Sequence, residues 1–254
     1  VMITKKILYW YDNNKRSLPW RNKCSLKQKE YFTLVSEFML QQTQVKTVIP
    51  YFNNFLRKIP NFKSLAKINE AKLLKYWQGL GYYSRAINLK KSAKMIIDNH
   101  NGRLPNNFEE LKKLPGVGDY TASAISAIVF NEQIIPLDGN VERVLKRILN
   151  LKKEEEIKKK NLHKKKKIFG KTSRSSDYAQ ALMEIGALLC KPENPYCDKC
   201  PITKNCLSFK RKDFKIKKKE KKIIDKFYLA TLYKNDEQLL LIKNDKFKFL
   251  KNLL

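Results

Sequence analysis

The sequence predicts a mainly α protein of two helical modules, followed by the start of a β-containing segment. Three observations carry that expectation. Apolar residues recur at spacings of three and four from residue 5 to about 209, as in Val45, Val48, Phe52, Phe55 and Leu56, or Leu145, Ile148 and Leu149. Turn formers at Pro60, Gly79 to Gly81, Gly102, Pro115 to Gly118 and Asp138-Gly139 cut this stretch into helix-length pieces. Beyond a basic run, the period then changes to two. Phe227, Leu229, Thr231 and Tyr233 alternate with other residues, Asn235-Asp236 suggests a turn, and Leu239 to Ile242 follows, which is a β-hairpin signal. A sheet that small is not stable alone, so this segment reads as a truncated second domain.

The chain has 254 residues, 43% of them hydrophobic, enough for a sizeable core. It holds 54 Lys plus Arg against 24 Asp plus Glu, a net charge of +30. Such an excess attracts polyanions, and nucleic acid is the first partner it suggests, ahead of an anionic membrane surface. A general bias toward lysine accounts for part of its size. Residues 152–171 alone carry ten Lys, as a solvated helix face or a basic loop. Residues 210–222 (KRKDFKIKKKEKK) have nine basic residues and read as a linker. No stretch has the apolar length of a membrane span, and the first ten residues lack a signal-peptide pattern. The expectation is a soluble, intracellular protein, and the clustering of four of five cysteines suits a reducing compartment.

Four motifs carry chemistry. Thr33 to Gln44, taken as one helix, places Thr33, Glu37, Gln41 and Gln44 on one polar seam. Apolar neighbours surround Glu37, and a carboxyl so desolvated would have a raised pKa suited to a general acid. Leu114-Pro115-Gly116-Val117-Gly118 lies between a short helical pattern, Phe108 to Lys113, and a longer one, Tyr120 to Phe130. Its glycines allow a tight hairpin whose backbone N–H groups can face a phosphate, with Val117 as the apolar anchor. Asp138 precedes a helical pattern and is either a plain N-cap or an anionic partner to Glu37. Glycosidic cleavage through an oxocarbenium-like state uses such a pair, one acid and one anion. Cys190, Cys197, Cys200 and Cys206 offer four thiolates within seventeen residues. A [4Fe–4S] cluster or a four-cysteine zinc site would each fit, and the single C-x2-C unit favours the cluster.

These segments resemble the helix-hairpin-helix DNA glycosylases, and more closely the MutY-type adenine DNA glycosylases, from about Tyr9 to Phe209. The strings concerned are Leu18-Pro19-Trp20-Arg21, Ser36-Glu37-x-Met39-Leu40-Gln41-Gln42-Thr43-Gln44, Gly79-Leu80-Gly81-Tyr82-Tyr83-x-Arg85-Ala86, the Gly116 hairpin, Leu137-Asp138-Gly139-Asn140-Val141, and the cysteine loop. The resemblance implies excision of adenine mispaired with 8-oxoguanine or guanine from double-stranded DNA. Glu37 would protonate the adenine, and Asp138 would stabilise the sugar cation. Trp20, Arg21 and Gln180 would fall in or near the adenine pocket, Gln41 would also bind the substrate, and Gln42 and Tyr82 would enter the base stack. In the related endonuclease III-type enzymes a lysine stands at position 120; here it is Tyr120, which cannot form a Schiff base, so the expected enzyme is monofunctional.

The expected layout is a cluster-bearing module (1–25 with 135–209), a six-helix module (26–134), the linker (210–222) and an incomplete MutT-like domain (223–254). The protein is expected to be a monomer, cytoplasmic and nucleoid-associated, with no membrane contact. Two competing readings are an endonuclease III-like glycosylase/lyase for oxidised pyrimidines and a non-catalytic iron–sulfur DNA-binding protein.

Overall fold

The computed structural model describes residues 3–152 and 159–214, together with the backbone of residues 234–235 and 238–239. The chain divides into two compact units, Val1–Lys217 and Lys218–Leu254. Within the first unit the regular elements among the described residues are all helices. The elements are α1 (Ile3–Asn14), α2 (Leu26–Leu40), α3 (Val45–Lys58), α4 (Phe62–Lys67), α5 (Glu70–Trp77), α6 (Ser84–His100), α7 (Phe108–Lys113), α8 (Asp119–Phe130), α9 (Gly139–Ile148), α10 (Lys159–Lys165), α11 (Ser175–Glu184) and α12 (Leu207–Lys210). A 3₁₀ turn, Pro19–Arg21, precedes α2, and a π-helical turn, Ile185–Leu189, extends α11.

Local sequence explains most boundaries. The Ser25 hydroxyl accepts from the Gln28 N–H while the Gln28 side chain accepts from the Ser25 N–H, a reciprocal cap that starts α2. Asn61, Asn69, Asn107 and Asp138 likewise accept backbone N–H bonds at the starts of α4, α5, α7 and α9. Asn101 and Asn131 end α6 and α8 in the left-handed conformation that asparagine tolerates.

The helices bury two separate apolar cores. One gathers Leu34, Val35 and Phe38 of α2, Phe52 and Phe55 of α3, Trp77 of α5, Leu89 and Ile96 of α6, and Ile125 of α8. The other gathers Ile7 and Tyr11 of α1, Val141, Leu145 and Ile148 of α9, Leu162, Phe169, Tyr178, Leu182 and Ile202. Helix α8 packs on both α2 and α11 and so ties the cores together. The basic stretch 152–171 includes α10 and a 3₁₀ turn, Lys166–Phe169, with Leu162 and Phe169 buried; residues 153–158 lie outside the described residues.

One expectation is corrected. The helix read from Thr33 to Gln44 ends at Leu40; residues 41–44 form a turn with Gln42 at φ 57°, and α3 starts at Val45. The physical reason is tertiary. Arg85 donates to the carbonyls of Phe38 and Met39 at the end of α2, which gives these orphan acceptors a partner. In the second unit, Lys234–Asn235 pairs antiparallel with Gln238–Leu239, in the register Lys234 with Leu239 and Asn235 with Gln238. The turn expected at Asn235-Asp236 runs into residues 236–237, which lie outside the described residues. The rest of the expected strands, and most of the basic linker, lie outside the described residues. No helix among the described residues is long and apolar enough to cross a membrane.

Candidate active site

Glu37 is buried in the last turn of α2 at 6% exposure. Burial pushes its pKa from an ordinary 4.5 up to about 7; a hydrogen bond from Tyr120 and the charge of Arg21 pull it down, and the charge of Asp138 raises it. One carboxylate oxygen, Oε2, has no hydrogen-bond partner. Tyr120, in the first turn of α8, is itself held protonated, its pKa raised by burial and by the carboxylates of Glu37 and Asp138. Asp138 is the N-cap of α9, accepting from the Val141 N–H at 2.6 Å and from Asn140 Nδ2 at 2.9 Å. Burial raises its pKa too, while the Val141 and Asn140 hydrogen bonds oppose that rise by favouring the anion. The two carboxyls therefore sit in different surroundings. Glu37 is the more deeply buried, with Tyr120 as its hydrogen-bond partner, and Asp138 is hydrogen-bonded at a positive helix end.

Arg21 follows the fixed turn at Pro19. Its Nη1 donates to Glu184 Oε1 at 2.8 Å. Arg16 donates to the same carboxylate, through Nε at 2.7 Å and a second bond at 2.9 Å. Glu184 is fully buried at the end of α11, so this shared carboxylate fixes the Trp20-Arg21 turn against α11. The sequence reading did not single out Glu184. Its one sequence-level signal is a lone acid in the apolar stretch Ala181 to Leu189. Trp20 packs edge-on against Phe52, ring centres 5.3 Å apart. Gln180 stands on α11, its Nε2 donating to the Ser176 carbonyl at 3.2 Å.

One large cleft collects these groups. Trp20, Arg21, Glu37, Gln41, Gln42, Tyr120, Asp138 and Gln180 all line it, with Thr33 and Gln44. Lys15, Lys23, Lys29 and Lys46 stand on its walls. At about 1600 Å³ it exceeds the roughly 300–1,000 Å³ of a small-molecule pocket and suits part of a macromolecule. Arg21 Nε, buried without a partner, and Glu37 Oε2 both belong to this cleft. Buried polar atoms are normally paired, so these two mark a place for a polar ligand.

Tyr82 and Gly116 to Gly118 are not among the lining residues. Tyr82 stands 63% exposed with φ 46°. The hairpin is joined to the cleft through Gln41, whose Nε2 donates to the Gly116 carbonyl at 3.4 Å. Gly116 has φ 82°, and a Cβ there would come within 2.8 Å of the Phe38 ring, so the turn admits only glycine. Val117 is buried in the first core, and Gly118 opens α8 with open space around it.

The four clustered cysteines lie apart from this cleft and line one small, mostly apolar cavity with Val144, Ile148 and Ile202. Arg147 Nη1 donates toward Cys190 Sγ at 3.5 Å, and its carbonyl faces Cys206 Sγ at 3.4 Å. Burial raises the thiol pKa of Cys200 to about 11. Among the described residues no three potential metal ligands stand at the spacing of a single ion. Cys24 is remote from this set and lines the large cleft. Arg143 ties the two regions, its Nε donating to the Cys190 carbonyl at 2.7 Å and its Nη2 to Asn140 Oδ1 at 2.7 Å.

Residues 35–167 match the model of the HhH-GPD superfamily base excision DNA repair proteins. An adenine DNA glycosylase of Buchnera aphidicola subsp. Schizaphis graminum is 38% identical over 259 aligned residues, covering 99% of this chain and 73% of that protein. The human adenine DNA glycosylase is 38% identical over 212 residues, which are 81% of this chain and 39% of that protein. Among solved structures, a thermostable thymine-DNA glycosylase superposes with a TM-score of 0.71 at 26% identity, covering 82% of this chain and 95% of that one. A non-covalent endonuclease III–DNA complex superposes at 0.65, with 22% identity over 84% of this chain and 99% of that one, a likeness of fold.

Fold and family together define the class, a DNA N-glycosylase of the helix-hairpin-helix type. Within the HhH-GPD superfamily, this chain belongs to the adenine DNA glycosylase family.

Proposed function

We propose that this chain removes adenine mispaired with 8-oxoguanine or guanine from duplex DNA in base excision repair, without cutting the strand. The observation that carries the mechanism is the buried Glu37 carboxyl, held near neutral pKa and sharing one cleft with Asp138. In the proposed reaction the protonated Glu37 gives its proton to a ring nitrogen of the extruded adenine. The C–N glycosidic bond then breaks, its electron pair leaving with the base and an oxocarbenium ion remaining on the sugar. The Asp138 carboxylate faces that cation and stabilises or transiently bonds it. Water adds to the anomeric carbon and the Glu37 carboxylate takes up its proton, which restores the acid.

Trp20, Arg21 and Gln180 form the adenine pocket in this reading, Gln41 binds the substrate beside it, and Gln42 and Tyr82 fill the stack that the base leaves. Gly116, Val117 and Gly118 hold a backbone phosphate by N–H groups at the start of α8. Tyr120 holds the Glu37 carboxylate in place and, lacking an amine, leaves no route to a Schiff base. Support for duplex DNA as partner is the lysine-walled cleft and the net charge of +30. The proposed setting is a cytoplasmic, nucleoid-associated monomer.

Cys190, Cys197, Cys200 and Cys206 fit a [4Fe–4S] cluster. Their donor chemistry is four thiols on one cavity, with the Arg147 guanidinium beside Cys190 to offset anionic sulfur. Such a cluster would supply a cross-link from the end of α11 to the start of α12. About four iron and four sulfide per chain are expected on analysis, where one zinc would overturn the assignment. In the proposed layout this loop belongs with residues 1–25 and 135–209, the hairpin with 26–134, and residues 223–254 with a MutT-like segment.

The test is a panel of defined mispairs and lesions under single turnover, with and without alkali to expose abasic sites. Alkali-dependent cleavage at adenine opposite 8-oxoguanine or guanine is expected. Strand cleavage of oxidised pyrimidines without alkali, with a borohydride-trapped adduct, would mean a glycosylase/lyase instead. Intact duplex in every case would mean a non-catalytic DNA binder.

A further inference from the structure

Arg85, in the first turn of α6, is 6% exposed. A guanidinium this deep is almost always paired with a carboxylate. Among the described residues Arg85 has no ion pair, and its partners are carbonyls and one hydroxyl. Nη1 donates to the carbonyls of Phe38 at 3.2 Å and Met39 at 2.8 Å, to that of Gln41, and to Thr43 Oγ1 at 3.2 Å. Nη2 donates to the carbonyls of Leu80 at 2.9 Å and Gly81 at 3.1 Å.

The first group of acceptors is the end of α2 and the turn into α3. The second is the turn after α5. Each turn presents one exposed side chain on left-handed backbone, Gln42 at φ 57° and Tyr82 at φ 46°, a conformation rare outside glycine. The Tyr82 ring also lies 5.5 Å from the guanidinium carbon. One planar side chain, some forty residues along the chain from one of these turns, therefore fixes both.

We propose that Arg85 is a positioning residue that locks the Gln42 and Tyr82 turns into one rigid wedge, so that base extrusion proceeds as a single concerted step. The proposal rests on the reading that these two side chains enter the base stack. A wedge keeps a base out only if it does not itself retract, and two turns moving independently would each yield. Lysine cannot replace Arg85 here, because three donors on one nitrogen cannot span two diverging sets of carbonyls.

The experiment compares the full chain with Arg85→Lys and with a Gln42→Ala/Tyr82→Ala double variant. Each is saturated with a duplex carrying 2-aminopurine at the target position, whose fluorescence rises on unstacking. Single-turnover excision of adenine and thermal unfolding are measured in parallel. Arg85→Lys is expected to fold and bind, to lose most of the fluorescence rise, and to lose about a hundredfold in maximal single-turnover rate, as a misplaced positioning group does. The protein concentration for half-maximal rate should move by less than about tenfold, since binding is not what is lost. A full fluorescence rise in Arg85→Lys overturns the proposal, as does a loss confined to DNA affinity and melting temperature. A full rise in the double variant overturns the wedge reading itself. A rise lost in the double variant but kept in Arg85→Lys sinks only the role of Arg85. If Arg85→Lys does not fold, Thr43→Val removes one acceptor of the same network. A reduced rise then supports the proposal and an unchanged one overturns it.

Discussion

A glutamate at 6% exposure with one unpartnered oxygen is costly to ionise, and that cost serves both acid chemistry and a measurable instability. Glu37→Gln keeps the shape and removes the proton. Single-turnover excision should fall by at least about a hundredfold while duplex affinity stays nearly unchanged in a binding titration. Normal turnover by that variant would remove Glu37 from the reaction. The pKa of about 7 also fixes a pH dependence. The acid form is the active one, so excision should decline as pH rises through 7. Stability follows the same direction. The unfolded carboxyl loses its proton near its ordinary value, before the folded one does, so stability drops as pH climbs from about 4.5 to about 7. Above that window Glu37→Gln should be the more stable chain by on the order of 3 kcal/mol, and below it the two should melt alike. Tyr120→Phe removes a hydrogen bond that favours the Glu37 anion. Its pH profile should therefore move to higher pH, and a profile shifted downward would contradict the assigned contact.

Helix ends, rather than helix bodies, set this site, and the α9 terminus shows how a structural role and a chemical one can coexist. Asp138 caps α9 and also faces the cleft. Asp138→Asn keeps a cap acceptor but no charge, and should lose excision with little change in melting temperature. Asp138→Ala loses both and should cost about 1 kcal/mol of stability as well. Equal stability losses would mean that the charge, not the cap acceptor, is what stabilises this helix end. The π-helical turn after α11 depends on close contact with α9, since a Cβ on Gly186 would meet the Asn140 backbone at 2.9 Å. Gly186→Ala should destabilise by about 1–3 kcal/mol, read by denaturant unfolding, and displace the Asp138 cap. Which of these features the sequence discloses depends on the range of the forces involved. The helices flanking Gly116, from Phe108 to Lys113 and up to Phe130, are legible because period, caps and turn formers lie within a few residues of each other. The end of α2 is not, because its carbonyls are capped by Arg85, forty-five residues beyond Leu40. Glu184 is invisible for the same reason. Its meaning comes from Arg16 and Arg21, more than 160 residues earlier in the chain.

At the scale of the whole molecule, charge and cleft have to be considered together. A net charge of +30 would bind any polyanion loosely over the entire surface, but four lysines also line the cleft that holds the candidate acid. If the duplex lies there, each lysine that meets a phosphate releases a condensed counterion on binding. The logarithm of affinity should then fall linearly with the logarithm of salt concentration, with a slope of about −0.9 for each phosphate neutralised. Lys46, exposed at the start of α3, makes the useful probe, because it lines the cleft without belonging to the Glu37 or Asp138 hydrogen-bond networks. Lys46→Ala should reduce the salt slope by about 1 and weaken matched and mispaired duplexes alike, since a phosphate contact carries no base information. The single-turnover rate at saturation should remain that of the unsubstituted chain. Lys63, an exposed lysine of α4 that is not among the cleft-lining residues, provides the comparison. An equal change of slope on removing Lys63 would mean that the duplex is held by diffuse surface charge, and that the cleft is not its seat.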